Sequence, residues 1–240
     1  MSVSADRLTI QLGLNGFSFK IELPDGTVRD SGRTVFESPL EDLAEIEDSV
    51  VALFDGNASV RGRHSAVDVF CDTWKYAMVP SSMFSDGDAQ AVLSSLYGAE
   101  CREDALFCRT PRYDAVIVFP IPSSIVDFIG GVHENVRFYP AVSRLLDKIG
   151  EMEANNRMAA YFSGSRMAVA AAEQDRLLLL NTFDAEDNAT ALYYLLLAAR
   201  ESMLNPGHTS LSLFNAVPDS LPEAVSGFFS DVVAKREGLL

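Results

Sequence analysis

Leu8-Thr-Ile-Gln-Leu-Gly-Leu-Asn-Gly-Phe-Ser-Phe-Lys-Ile-Glu-Leu23 is the stretch on which the fold turns. Leu8, Ile10 and Leu12 alternate with Thr9 and Gln11, and then Phe17, Phe19, Ile21 and Leu23 alternate with Ser18, Lys20 and Glu22. A period of two places each run on a strand with one buried face. Between them, Leu14-Asn15-Gly16 supplies residues that accept positive φ, so the two strands join as a tight hairpin. Pro24-Asp25-Gly26 makes a second turn, and Thr27 to Phe36 is expected as a third antiparallel strand.

Beyond the three strands, Ser38-Pro39-Leu40-Glu41 predicts a capping box with proline at the first helical position. The expected helix puts Leu40, Leu43, Ile46, Val50, Leu53 and Phe54 on one face and Glu41, Asp42, Glu45, Glu47 and Asp48 on the rest, an acidic surface. A strand at Val67 to Cys71 follows, then a break at Val79-Pro80 and a helix through Ala89, Val92, Leu93 and Leu96 that Gly98 ends. Ala115-Val-Ile-Val-Phe119 is apolar without alternation, the pattern of a strand covered on both faces. Helices are expected at Ser123 to Ile129 and, after Pro140, through Val142, Leu145, Leu146, Ile149 and Met152.

From about Asn155 the plan repeats. Strands are expected at Arg157 to Phe162, Arg166 to Ala172 and Arg176 to Asn181, then a helix carrying Leu192, Leu195, Leu196, Ala199 and Met203. A strand at Thr209 to Phe214 leads through Val217-Pro218 to a helix opened by Ser220-x-x-Glu223, expected to bury Val225, Phe228, Phe229, Val232 and Val233. The order is β-β-β-α-β-α twice. Thr34-Val-Phe-Glu37 parallels Asn181-Thr-Phe-Asp184, and Val79-Pro-Ser81 parallels Val217-Pro-Asp219, which points to internal duplication. The expected domains are 1-154 and 155-240, the second lacking one β-α unit of a full duplicate.

This mixed α/β order is the plan of the ribonuclease-H-like fold that occurs duplicated in actin, heat-shock chaperones and sugar kinases. The hairpin Leu8 to Phe19, the segment Met78-Val-Pro-Ser-Ser-Met-Phe84, and Leu177-Leu-Leu-Leu-Asn-Thr-Phe183 with Tyr193-Tyr194-Leu-Leu resemble a family of uncharacterised bacterial proteins, a domain of unknown function. The resemblance spans nearly the whole chain and implies an actin-like fold. It implies no activity, so chemistry has to be sought in the residues themselves.

An actin-type ATPase needs a carboxylate at the end of the first strand of each half to hold Mg²⁺ and orient water, beside glycines and a hydroxyl that cradle phosphate. Here the loops are Gly13-Leu14-Asn15-Gly16-Phe17-Ser18 and Ser163-Gly164-Ser165-Arg166, with neither Asp nor Glu. The run from Leu8 to Leu14 also lacks the mid-strand acid of a two-metal nuclease. Asp68 and Asp72 flank the strand at Val67 to Cys71 and could face a cleft, although aspartates at strand ends are ordinarily solvated or turn-forming. Ser163 lies in no G-x-S-x-G elbow.

Nineteen Lys and Arg against 34 Asp and Glu give a net charge of −15, which repels a nucleic-acid backbone. The N-terminus has no signal-peptide pattern, and no apolar run approaches the roughly 18 residues of a membrane span, so a cytoplasmic protein without direct membrane insertion is expected. Cys71, Cys101 and Cys108 have no C-x-x-C spacing and read as reduced, packed thiols. His64, His133 and His208 lack metal-ligand spacing. Tyr193-Tyr194 reads as helix core, and Trp74, the single tryptophan, as either a contact residue or a side chain packed against Phe70.

The sequence thus points to a non-catalytic actin-like scaffold or protein-binding module. No catalytic residue, metal ligand or cofactor is assigned; the expected partner is protein, nucleic acid is excluded, and a homo-oligomer stays open. The alternative is an atypical nucleotide-binding protein in which Gly13, Asn15, Gly16 and Ser18 face Ser163, Gly164 and Ser165.

Overall fold

The computed structural model describes residues 6–98 and 103–235. The chain divides into two units, Met1–Ala141 and Val142–Leu239. In the first, β1 (Arg7–Gly13), β2 (Gly16–Glu22) and β3 (Val28–Val35) form the antiparallel meander. Helices α1 (Glu47–Gly56) and α2 (Ala58–Arg61) then return the chain to β4 (Ala66–Cys71), which lies parallel to β1. After an excursion, α4 (Ser123–Val132) leads to β8 (Val136–Pro140), parallel to β4, and the sheet order is β3-β2-β1-β4-β8.

The excursion is a separate three-stranded antiparallel sheet, β5 (Ala77–Pro80), β6 (Glu103–Thr110) and β7 (Ala115–Pro122), with β7 in the centre and α3 (Ala89–Tyr97) on it. The unalternating apolar run is β7, buried at every position. Phe84, Ala89, Leu93, Val116 and Val118 form its small core. Burying each large aliphatic or aromatic side chain of this kind contributes about 1.5–3 kcal/mol.

In the second unit, after α5 (Ala141–Glu151), the strands β9 (Asn156–Ser163), β10 (Arg166–Glu173), β11 (Arg176–Asp184), β12 (Ser210–Asn215) and β13 (Asp231–Lys235) take the order β11-β10-β9-β12-β13. The crossovers are α6 (Asn188–Glu201) and α7 (Leu221–Ser226). Met158, Phe162, Met167, Val169, Leu195, Leu213 and Val225 belong to the core that one face of this sheet shares with its helices.

The two sheets match in detail. Both β2 and β10 carry a register break five residues after the hairpin turn, between Ile21 and Glu22 and between Ala171 and Ala172. The turn carbonyl of Asn15 accepts from Phe36 N at 2.9 Å, and that of Ser165 accepts from Ala185 N at 2.7 Å. Phe36 therefore corresponds to Ala185 and not to Phe183, as the sequence parallel had it. Val79-Pro80 lies in β5 of the excursion, whereas Val217-Pro218 follows β12, so that second parallel is not structural.

Other differences from the sequence reading have local causes. Helix formation is delayed past Ser38 because the strap from Phe36 to Leu40 is tied to the hairpin, with Leu40 N donating to Leu14 O at 2.8 Å. The capping box is Asp42 with Glu45, opening a 3₁₀ turn at Leu43–Ile46 ahead of α1. The last helix stops at Ser226, and Val232 and Val233 lie in β13, so the second sheet has five strands and the strand of the β-α unit expected to be missing is present.

Candidate functional site

The hairpin turn between β1 and β2 shows how the first unit treats a phosphate-type loop. Gly16 has φ +145°, and any Cβ there would collide with Thr34 O, so the tight return to β3 requires glycine. A Cβ on Gly13 would lie 2.9 Å from Asp72 Oδ2. Asp72 follows the end of β4, is 1% exposed, and its carboxylate accepts from Leu14 N at 3.4 Å. With the carbonyls of Leu14 and Asn15 held by Leu40 and Phe36, the turn is bonded to its own unit.

Asp72 is thus neither solvated nor part of the hairpin's own sequence. It brings a buried carboxylate to a loop that has none, from 58 residues further on. Asp68, also 1% exposed, lies within β4 and not at its end. Arg7 Nε reaches its Oδ2 at 2.6 Å, and Arg137 Nε lies 3.1 Å from Oδ1. One carboxylate therefore ties β1, β4 and β8 together across three neighbouring strands. Tyr139 stacks on Phe70 with ring centroids 5.0 Å apart, and its hydroxyl is pushed up by burial and, after that, by Asp68.

In the second unit, Gly164 takes φ +58° in the β9–β10 turn, and Ser163 is fully buried. Arg166 Nε pairs with Asp184 Oδ1 at 3.1 Å across the β10–β11 ladder. The strand end beside this turn carries an amide. Asn215 adopts φ +69° and donates from Nδ2 to Phe162 O at 2.8 Å. The sequence reading passed over Asn215, although an Asn closing an apolar strand is a signal for the left-handed region.

The remaining candidates separate. His64 and His133 are brought together in the first unit, with ring centroids 5.7 Å apart, while His208 is exposed in a 3₁₀ turn of the second. Cys71 and Cys108 are buried and not joined in a disulfide; burial, and then Asp72, push the Cys71 thiol well above its ordinary range, which leaves it inert. Cys101 lies outside the described residues. Tyr194 stacks on Phe183 at 4.5 Å, whereas Tyr193 is 60% exposed. Trp74 is half-buried. Glu41, Asp42, Glu45, Glu47 and Asp48 are all exposed. Among the described residues, no three His, Cys, Asp or Glu gather as a metal site, and no helix is long and apolar enough to cross a membrane.

Solved structures of similar shape share this fold. A Bacteroides thetaiotaomicron VPI-5482 protein with an actin-like ATPase fold and unknown function matches with TM-score 0.82 at 21% identity, over 97% of this chain and 91% of that one. A chain of the PilM-PilN type IV pilus biogenesis complex matches with TM-score 0.54 at 10% identity, over 95% and 87%. The ethanolamine utilization protein EutJ from Carboxydothermus hydrogenoformans matches with TM-score 0.52 at 9% identity, over 98% and 86%. No curated protein matches the sequence. These likenesses assign the actin-like, ribonuclease-H-like fold with its two sheet domains. A family model matches residues 3–223, and the chain belongs to that family, the protein of unknown function DUF3822.

Proposed function

We propose that the protein is a non-catalytic actin-like scaffold that binds another protein in the cytoplasm. The observation that carries this is Asp72. A phosphate loop offers free N–H groups to an anion, but here a buried carboxylate already accepts from Leu14 N and lies against Gly13. Without a metal ion, an incoming phosphate would meet like charge at close range in a site of low dielectric, and a metal ion would find this carboxylate in one half where the ATPase arrangement needs one from each. In the second unit the turn from Ser163 to Arg166 lies beside Asn215, a neutral side chain that cannot neutralise a metal ion. The exposed acids Glu41, Asp42, Glu45, Glu47 and Asp48 give a face complementary to a basic partner segment. The PilM-PilN type IV pilus biogenesis complex, one chain of which has this fold, offers a precedent for it in a protein assembly.

Thermal melting with ATP or ADP and Mg²⁺ tests the proposal. The expected result is no saturable shift. A saturable stabilisation of about 1 kcal/mol, reached at roughly four to five times Kd, would overturn it. That result would favour a nucleotide held by Gly13, Asn15, Gly16 and Ser18 or by Ser163, Gly164 and Ser165, with Asp72 as the Mg²⁺ ligand.

A further inference from the structure

The geometry points to an acid-operated clasp in the first unit: neutral His64 and His133 hold the loop between α2 and β4 against the C-terminal end of α4, and protonation of either ring releases it. Both rings are more than nine-tenths buried, at 8% and 6% exposure. Their centroids are 5.7 Å apart at an interplanar angle of 51°. Phe54 of α1, fully buried, lies 5.7 Å from His133 and 5.4 Å from Phe128 of α4, so the pair sits against an aromatic wall.

Hydrogen bonding fixes what a proton would do there. His64 Nε2 lies 2.9 Å from Ser59 O and acts as the donor to it, which leaves Nδ1 as the site for a second proton. Nδ1 is buried and has no hydrogen-bond partner, and the same is true of His133 Nε2. A proton on either atom creates a buried donor without an acceptor and a charge beside a second imidazole. The cheapest escape is to turn the charged ring out to water, which parts the two segments.

The surrounding charges do not rescue the protonated form. Arg29 of β3 bears on His64 and disfavours its charge, although Arg29 is itself paired with Asp6. Asp55 of α1 and Arg61 of α2 pair with each other at 3.1 Å on the surface. Arg63 in the loop, Asp127 of α4 and Glu134 after it are exposed, and Arg137 of β8 is held by Asp68. Burial depresses the basicity of both histidines, and His64 adds to the effect on His133. A histidine depressed in the folded state is bound to more protons when unfolded. Stability is therefore whole above about pH 6.5, the unfolded value, and falls as pH drops from there through the folded values.

Backbone contacts place the clasp beside the start of the parallel strands, where Ser65 N donates to Asp6 O at 2.9 Å and Val67 N to Asn135 O at 2.9 Å. Opening it loosens residues 57–65 and 129–135 without touching the second unit's own core.

Amide hydrogen exchange of the full chain at pH 7.5 and 5.0, corrected for intrinsic rates, tests the clasp. Protection of residues 57–65 and 129–135 is expected to drop about tenfold at the lower pH, while β10 keeps its protection. Replacing both rings, His64→Phe together with His133→Phe, preserves the aromatic packing and removes both proton sites, so exchange of that double variant should lose the acid response, whereas His208→Gln should keep it. An equal response in both units, or an acid response that survives the double replacement, overturns the clasp. Should that variant not fold, imidazole NMR titration of the unaltered protein decides: both buried rings must titrate below about 6.5, and titration at or above it sinks the proposal.

Discussion

The two five-stranded sheets share order, crossover and even the position of a register break, yet their second faces have opposite chemistry. In the first, Thr9 and Gln11 of β1, Ser18, Lys20 and Glu22 of β2 and Asp68 of β4 share the face opposite Leu8, Ile10 and Leu12. The corresponding positions in the second, counted from the hairpin turns and the ladders, are Ala159 and Tyr161 of β9, Ala168, Ala170 and Ala172 of β10 and Ser212 of β12. Most polar groups of one sheet have become methyl groups in the other, and those three β10 alanines are fully buried. Topology is therefore set by what the two sheets keep, the apolar face toward the helices and the turn geometry. The other face is free to diverge.

The comparison breaks most visibly if the second sheet is given the first sheet's chemistry. Ala170→Lys places at a fully buried position the residue that Lys20 represents in β2, with no partner for its charge. The loss should be about 3–5 kcal/mol, read as a fall in the denaturant midpoint. Next comes the reverse loss in the first sheet. Asp68→Ala removes the carboxylate that accepts from Arg7 and forms an ion pair with Arg137, whose side chains are 55% and 57% exposed and can return to water. About 2–3 kcal/mol should go, the range of hydrogen bonds to a charged group, with nucleotide response unchanged. A cost below about 1 kcal/mol would show that the three strands need no polar tie.

How much of this was legible in the sequence follows from which interactions are local. The meander, the buried β7 run and the twofold recurrence are periodicity signals, and they survive folding because tertiary contacts reinforce them. β13 was not legible. Val225, Phe229, Val232 and Val233 sit at spacings that a helix also satisfies, and Gly227, which caps α7, was the stop signal passed over. β8 is five residues long, half-exposed for most of its length and closed by proline, too little to outweigh the helices on either side. The loop that the Asp72 carboxylate reaches was hidden for another reason. A loop's sequence cannot disclose a carboxylate that reaches it through the parallel pairing of β1 with β4. The same holds for His64 and His133, which become neighbours only when α4 packs beside α1.

The smallest expected effect is the sharpest test of the divergence. Lys20 pairs with Glu22 at 3.2 Å within β2, with side chains 27% and 31% exposed. Ion pairs with this much access to water gain little net energy, because Coulomb attraction is offset by side-chain ordering and solvent screening. Lys20→Ala, which copies the residue of the second sheet, should therefore cost less than about 1 kcal/mol. Added salt should shrink the difference further. The asymmetry with Ala170→Lys is the point: passing from charged to apolar on this face is nearly free, while the return is expensive. Equal costs in the two directions would mean that the two faces are under the same packing constraint, and that their different composition reflects no difference in how they are buried.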